Sequence, residues 1–336
     1  MPFRLWMIFY AFALLAAAMA TFGPLGVLPC GFVLCFWAWA FSSHKPSSLK
    51  GWLLLIGIVV AFVVLLLPAF QVIRESSRQG ACRNNLKQLA IALDFYASKH
   101  GGLPPAIVAG ADGDPLHSWR ALVLSEIDRA DINDMIDHTT AWDAPANNTV
   151  TSTEIDTFEC PSDSTTAVPN FCSYFAIVGP HTAWPGAQGR PMAEITDPKS
   201  HTILLIEAHG RNVPWAKPSD LTFDEAIQLL TGETVLNDMH EYRPTEGFVA
   251  HILGKTGSGI HVAMADGTVR FLTLPIPKEL AVALLTINGG EGEVHNQLDE
   301  YCRPRLDVGK CYSLGVFVAL SLLPAAFMRR HMSNTE

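Results

Sequence analysis

The stretch from Gly254 to Phe271 raises the first question of chemistry, because it begins with Gly-Lys-Thr, the end of a phosphate-binding loop. The complete loop needs a glycine five residues before Gly254, where this chain has Val249. It also needs a helix to follow, whereas an alternating run, an Asp-Gly pair and a second run follow here. That pattern is typical of a β-hairpin with a tight turn at Asp266 and Gly267, so a nucleotide site is disfavoured.

Carboxylates offer the next candidates for catalysis. Asp266 could act as an acid, but Asp-Gly is the usual chemistry of a type I′ turn, and we prefer the turn. Asp143, Asp163 and Asp197 stand in Trp-Asp-Ala-Pro, Pro-Ser-Asp-Ser and Thr-Asp-Pro-Lys, which favour turn capping over Ca²⁺ binding. No catalytic residue is therefore predicted.

Histidines offer candidate metal ligands. Ten lie between His100 and His295, and none has the H-x-H or H-E-x-x-H spacing. Glu207 and His209 follow the apolar run Thr202–Ile206 and could lie at a strand end facing a pocket. Spacing this loose is weak evidence for a metal site, so we predict neither a metal nor a cofactor.

A candidate binding loop lies in Val213–Leu221, which is punctuated by prolines on both sides of Trp215. With Lys217 and the more distant Trp184, this tryptophan could form a platform for a ligand. In the alternative interpretation, which we favour, Trp215 covers the edge of the core.

The composition indicates a membrane part and a water-facing part. The chain of 336 residues is 49% hydrophobic, and its mean hydropathy is +0.23. The stretch from Arg74 to Lys310 holds 31 of the 32 Asp and Glu residues. This acidity disfavours a nucleic acid partner. A bilayer crossing takes about 20 apolar residues, and four apolar stretches approach that length: Leu5–Ala20, Leu25–Phe41, Trp52–Phe70 and Leu314–Met328.

Basic residues flanking these stretches predict the orientation. Cytoplasmic loops of membrane proteins carry an excess of Lys and Arg, so the ends of the stretches that lie next to basic residues are predicted to be cytoplasmic. These basic residues are Arg4, Lys45, Lys50, Arg329 and Arg330. We therefore expect a multi-pass protein of the cytoplasmic membrane whose acidic head is extracytoplasmic. In a second interpretation, the first stretch and its Ala-Met-Ala at Ala18–Ala20 form a cleaved signal peptide.

An amphipathic helix is predicted to follow the third stretch. Its apolar positions recur at spacings of four and three: Cys82, Leu86, Leu89, Leu93 and Tyr96. The opposite face is polar, and the prolines at Pro104 and Pro105 forbid continuation. We expect one long helix running out of the membrane; the alternative is a short core helix separate from the span.

The residues from Gly51 to Leu272 resemble the planctomycete prepilin-like family known as domain of unknown function 1559. The resemblance rests on ordered motifs, among them "CRNNLKQLAIALDFYASKHGGLPP", "SWRALVL", "FECPSD", "ITDPKSHTILLIE", "VPWAKPSDL" and "VAMADGTVRFL". It implies a pilin-like or pseudopilin-like α+β fold, in which a long N-terminal helix packs on an antiparallel sheet. The family often has a histidine ten residues before the hairpin aspartate, where this chain has Thr256.

The chain departs from the family at its processing site. The chain keeps Lys50, Gly51 and an aromatic residue at Trp52, but Ile56 stands in place of the glutamate thought to serve fibre assembly. We therefore interpret the chain as a membrane-anchored relative and not a fibre subunit.

The family motifs also bear on the cysteines, five of which would face an oxidising compartment. Cys82 and Cys160 lie in two of those motifs, and a bridge between them would join the helix to the head. Cys302 and Cys311 could pair beside the last span, which leaves Cys172 free. Cys30 and Cys35, in the second stretch, are expected to be unpaired.

These observations predict a two-helix membrane segment (1–50), a membrane helix continuing as an amphipathic helix (51–103), an extracytoplasmic α+β head (104–310) and a final membrane helix with a basic tail (311–336). The function expected is a non-enzymatic, scaffolding or partner-binding envelope protein that contacts the lipid bilayer and other envelope or pilin-like proteins. A small-molecule or glycan-binding module and a membrane-anchored hydrolase are the alternatives.

Overall fold

The structure is a computed structural model that describes residues 5–40, 77–163, 170–234, 240–242, 257–290, 292–302 and 307–333. The chain divides into two compact units. The first comprises Met1–Ser76, Arg243–Thr256 and Pro304–Glu336, and the second comprises Ser77–Tyr242 and Gly257–Arg303.

The first unit contains three described helices: α1 (Leu5–Phe22), α2 (Val27–Ala40) and α11 (Val308–Ser333), with a 3-10 turn at Gly23–Gly26 between the first two. Small and apolar side chains of all three helices form its core, including Leu14, Ala18, Cys30 and Phe317. The hydroxyl of Tyr10 donates to the Leu320 carbonyl at 3.0 Å, which ties α1 to α11.

Three of the four predicted membrane stretches coincide with these helices. However, no helix within the described residues is long and apolar enough to cross a membrane. The third stretch, Trp52–Phe70, lies outside the described residues, as does its predicted continuity with the amphipathic helix.

The second unit is the α+β head. Its strands are β1 (Ile107–Ala109), β2 (Pro115–Ser118), β3 (Phe171–Cys172), β4 (Tyr174–Val178), β5 (Ile203–Glu207), β6 (Val213–Pro214), β7 (Leu221–Thr222), β8 (His240–Tyr242), β9 (Gly257–Met264) and β10 (Val269–Thr273). Its helices are α3 (77–100), α4 (Trp119–Leu122), α5 (Ala130–Asn133), α6 (Asn148–Thr151), α7 (Phe223–Thr231), α8 (Lys278–Leu285), α9 (Gly292–His295) and α10 (Leu298–Cys302). Single 3-10 turns occur at Leu124–Ile127, Asp156–Phe158, Met192–Glu194 and Lys199–His201.

The main sheet has the order β10-β9-β5-β4-β7, and β8 also pairs with β9. All its pairings are antiparallel except that of β4 with β7. Strand β9 is the longest, so it accommodates β5 at its final residues and β8 at its first residues. Strands β1–β2 and β3–β6 form two smaller antiparallel pairs.

Helix α3 buries the predicted stripe. Cys82, Leu86, Leu89 and Leu93 have no exposed surface, and Tyr96 is half-buried. The polar face predicted opposite them is exposed to solvent. The prediction of an amphipathic helix ending at His100 is confirmed, because a helix that packs against a core with one face buries one stripe at this spacing.

The hairpin of β9 and β10 forms where the sequence predicts it, but its turn is different. Of the described non-glycine residues, only Asp128 and Asn212 have positive φ, whereas a type I′ turn needs positive φ at both central positions. Here Gly267 alone is left-handed, at φ 76°, and its N–H donates to Met264. The turn is therefore a type I turn followed by a glycine bulge.

Asp266 stabilises this turn and takes no other described role. Its Oδ1 accepts from the backbone N–H and the hydroxyl of Thr268 at 2.9 and 2.6 Å. Lys87 of α3 donates to the Gly267 carbonyl at 2.6 Å and so joins the helix to the hairpin.

Two further helices expected from the sequence are present. Helix α7 begins with a capping box between Thr222 and Glu225 and ends at the left-handed Gly232. Helix α8 carries Glu279 in its first turn, where a carboxylate suits the helix dipole.

A buried ion pair connects α4 to the segment before β7. The Arg120 guanidinium donates to Asp220 at 2.8 Å, and the two side chains are 0% and 1% exposed. Asp220 also accepts from the Trp119 indole and from the backbone N–H of Ala176, while Arg120 donates to the Tyr174 carbonyl. Each charge is thus compensated by several partners, as burial requires.

We predict that Asp220→Ala lowers the free energy of unfolding of the full chain by about 3–5 kcal/mol, because it leaves a guanidinium buried without its partner. Asp131→Ala is the matched control, since it removes an exposed partner of Arg129 and should cost less than about 1 kcal/mol. Urea unfolding in detergent measures both variants. Equal losses would contradict the role given to the buried pair.

Candidate functional site

The candidate site is a group of four buried side chains at the end of β5. Its members, which we call the glutamate cluster, are Glu207, His209, His240 and His261. They have between 0% and 4% of their surface exposed. They come from the last residue of β5, the segment after it, the first residue of β8 and the middle of β9.

Both carboxylate oxygens of Glu207 have protein partners. Oε1 lies 3.2 Å from Nε2 of His209 and 3.1 Å from Nε2 of His240. Oε2 accepts from the backbone N–H of His261 at 2.9 Å and lies 3.0 Å from its Nδ1. One carboxylate therefore connects three separate segments of the head.

Sheet pairing explains why these residues meet. Leu205 pairs with Ala263 and Ile206 with Val262, so Glu207 ends β5 beside His261. On the same strand β9, His240 pairs with Gly259. The carboxylate thus lies where β5 stops and β8 begins.

Gly259 allows strands β9 and β10 to approach each other closely beside the glutamate cluster. A Cβ at this position would clash with the Leu272 carbonyl and the Phe271 ring of the neighbouring strand. The absence of a side chain therefore lets β9 pass close to β10 beside the cluster.

The electrostatics of the cluster favour the charged carboxylate. Burial by itself raises the pKa of Glu207, but hydrogen bonds from His209, His240 and His261 outweigh it and hold the pKa well below its usual value. Glu207 is therefore ionised inside the head at neutral pH.

The glutamate cluster adjoins a disulfide between Cys82 and Cys160, as the sequence analysis expected. Sγ of Cys160 lies 3.6 Å from Nε2 of His240. The Tyr174 hydroxyl, on the strand paired with β5, donates to the Cys82 carbonyl at 3.1 Å. The bridge joins α3 to the segment after the 3-10 turn Asp156–Phe158.

Asp163 and Asp197 have the structural roles expected for turn residues. Asp163 accepts from the hydroxyl of Ser173 at 3.1 Å and from the backbone N–H of Gly210 at 3.2 Å. Asp197 accepts from the backbone N–H groups of Gly289 and Gly290.

The candidate binding loop is built differently from a ligand platform. Trp184 and Trp215 are both 0% exposed, and their indoles donate to the carbonyls of Leu204 and Thr153. Lys217 is exposed beside them. The structure places Trp215 in the core, which agrees with the favoured interpretation of the sequence and not with an exposed platform.

The second predicted disulfide would join residues of different units, Cys302 of the second and Cys311 of the first, so that pairing stays a prediction. Cys30, Cys35 and Cys172 form no disulfide within the described residues.

A further buried histidine lies apart from the cluster. His117 is fully buried, and its ring lies 5.5 Å from that of His138. Burial, reinforced by His138, lowers the pKa of His117, so the neutral ring is favoured.

Sequence reasoning found Glu207 and His209 as neighbours but missed His240 and His261. His261 lies inside the predicted hairpin, so its position on a strand was foreseeable from the alternating pattern. Its partner strand was not, because Glu207 and His261 are 54 residues apart in the sequence.

Comparison with known proteins identifies a family for part of the chain. Residues 71–202 match the model of a family described as "Protein of unknown function (DUF1559)". The resemblance to DUF1559 is confirmed. The match includes both cysteines of the bridge, whereas Glu207, His209, His240 and His261 lie beyond its end. No curated protein and no solved structure matches the chain.

We predict that Glu207→Gln lowers the stability of the head at neutral pH by about 1–3 kcal/mol, because a neutral amide cannot accept all the donors that face it. The folded-state pKa of Glu207 is depressed, so its contribution is present above the usual glutamate pKa of about 4.3 and is lost as pH falls through that value towards the folded pKa. The variant should lack this part of the acid dependence.

Urea midpoints measured between about pH 3 and pH 7 test this expectation. Glu233→Gln, at an exposed position after α7, is the control and should reproduce the wild-type profile. A Glu207→Gln profile parallel to the wild-type profile would show that Glu207 has no depressed pKa.

Proposed function

We propose that this protein is a membrane-anchored, pseudopilin-like component of the cell envelope whose extracytoplasmic head binds partner proteins without catalysis. The family match and the packing of α3 on an antiparallel sheet support the architecture. The lipid bilayer is one partner in this proposal, other envelope or pilin-like proteins are the second, and nucleic acid is not one.

The observation that carries the non-enzymatic role is the burial of the glutamate cluster. The carboxylate of Glu207 is fully buried, and both its oxygens are engaged by His209, His240 and His261. A general base needs access to a substrate proton, whereas these contacts join strands of the head to one another. Their geometry supports a rigid scaffold.

A surface for a partner is available on the outer face of α3. Ile91 and Phe95 lie one turn apart and are 41% and 59% exposed. Exposed polar residues, including Gln88 and Asp94, surround them. An aliphatic and an aromatic anchor with a polar rim suit a protein contact.

A membrane-anchored hydrolase is the second candidate. The convergence of histidines on a carboxylate with a depressed pKa favours it, since such groups cluster at catalytic sites. Burial of all four residues favours the scaffold instead.

We predict that a photo-crosslinking amino acid at Ile91 forms one discrete adduct with an envelope protein in intact cells. Phe95→Glu should reduce the adduct at least tenfold, because loss of an aromatic anchor costs about 1.4 kcal/mol or more. Lys278→Glu, at an exposed position at the start of α8, is the control and should leave the adduct unchanged. Immunoblotting and mass spectrometry read the result.

The same cells test the orientation. A protease site inserted near residue 150 should be cut by protease added outside the cytoplasmic membrane. Cleavage only from the cell interior, or an adduct that ignores Phe95→Glu, would contradict the proposal.

A further inference from the structure

The disulfide and the glutamate cluster together place four metal-ligating side chains in one small volume. Their ligand atoms all lie within 4.8 Å of one another, and all four residues are buried. We call this set the bridge cluster: Cys82, Cys160, Glu207 and His240.

We propose that the bridge cluster binds one zinc ion when its disulfide is reduced. Two thiolates, one imidazole and one carboxylate form a four-coordinate set of the kind that zinc favours. The oxidised bridge occupies both sulfurs, so the disulfide and the metal are alternative ways of joining α3 to the sheet.

Two distances within the cluster agree with tetrahedral zinc. Zn–S bonds of about 2.3 Å and Zn–N bonds of about 2.0–2.1 Å place sulfur and nitrogen ligands about 3.6 Å apart. Sγ of Cys160 and Nε2 of His240 are 3.6 Å apart. Nε2 of His240 and Oε1 of Glu207 are 3.1 Å apart, close to the spacing of about 3.4 Å expected for nitrogen and oxygen ligands. The two bridged sulfurs must separate, to about 3.8 Å.

Outer hydrogen bonds fix the carboxylate ligand. His261 holds Oε2 through both its backbone N–H and its ring, and His209 lies beside Oε1. Histidine donors behind a ligating carboxylate orient it in metal sites. In this proposal, His209 and His261 orient Glu207 as a metal ligand.

The change of state balances as thiol–disulfide exchange followed by metal binding. A dithiol donor supplies two electrons and two protons: its thiolate attacks one sulfur of the bridge, the S–S bond breaks, and its second thiol releases the mixed disulfide. The products are two cysteine thiols and the donor's disulfide. Zinc then replaces the two thiol protons, which pass to solvent, and His240 binds through Nε2 as the neutral tautomer carrying its proton on Nδ1.

The test uses the full chain in detergent, reduced anaerobically with tris(carboxyethyl)phosphine and titrated with Co²⁺ as a spectroscopic probe. The proposal predicts one equivalent bound, with thiolate-to-cobalt charge-transfer bands and tetrahedral d–d bands that one equivalent of Zn²⁺ removes. The oxidised chain, identical in sequence, should show no thiolate bands. Mass spectrometry after alkylation confirms which state is measured.

Variants assign the ligands. Cys160→Ser should abolish the charge-transfer bands, and Glu207→Gln and His240→Gln should weaken zinc binding about 10–100-fold. Cys172→Ser is the control and should bind as the wild type does. Burial raises the pKa of the Cys172 thiol to about 12, so it does not supply a competing thiolate.

Several results would overturn the proposal. These are a reduced chain without thiolate bands, bands that survive Cys160→Ser, equal affinity in the oxidised chain, and a bridge that the phosphine cannot open in the folded protein. Because the oxidised and reduced wild type are compared directly, a variant that fails to fold does not decide the outcome.

Discussion

The carboxylate of Glu207 is the point on which the head depends. It lies where β5 ends and β8 begins, and it accepts from groups on β9, on β8 and on the segment after β5. A buried charge is tolerated only when its hydrogen-bonding capacity is met. The three segments must therefore converge for any one of them to be placed favourably. The bridge from Cys160 to Cys82 then fixes the beginning of α3 against the same spot.

A second buried charge connects β7 to β4. Asp220 precedes β7 and binds Arg120 of α4, while Ala176 of β4 donates to the same carboxylate. The two ionic centres of the head are linked through β4, because Arg120 donates to the Tyr174 carbonyl and Tyr174 pairs with Glu207. Each centre links segments that are far apart in sequence. These contacts also explain why Glu207 and His209, which the sequence offered as candidates for a pocket, are buried.

Local sequence patterns predicted much of this architecture. The spacing of Leu86, Leu89 and Leu93 predicted the buried face of α3, and the Asp-Gly pair predicted the hairpin. These features need only nearest neighbours on a helix or strand. The glutamate cluster needs β5, β8 and β9 to pair across long separations, which a single sequence does not specify. The turn type was missed for a related reason, since Asp-Gly suits both a type I′ turn and a type I turn with a glycine bulge.

Amide hydrogen exchange measured by mass spectrometry on the full chain tests the central role of Glu207 most directly. In Glu207→Gln, peptides covering His240–Tyr242 and the first half of Gly257–Met264 should lose protection, while Val269–Thr273 keeps most of its own. Glu233→Gln should exchange like the wild type. Unchanged protection of β8 in Glu207→Gln would show that the carboxylate does not hold these strands together.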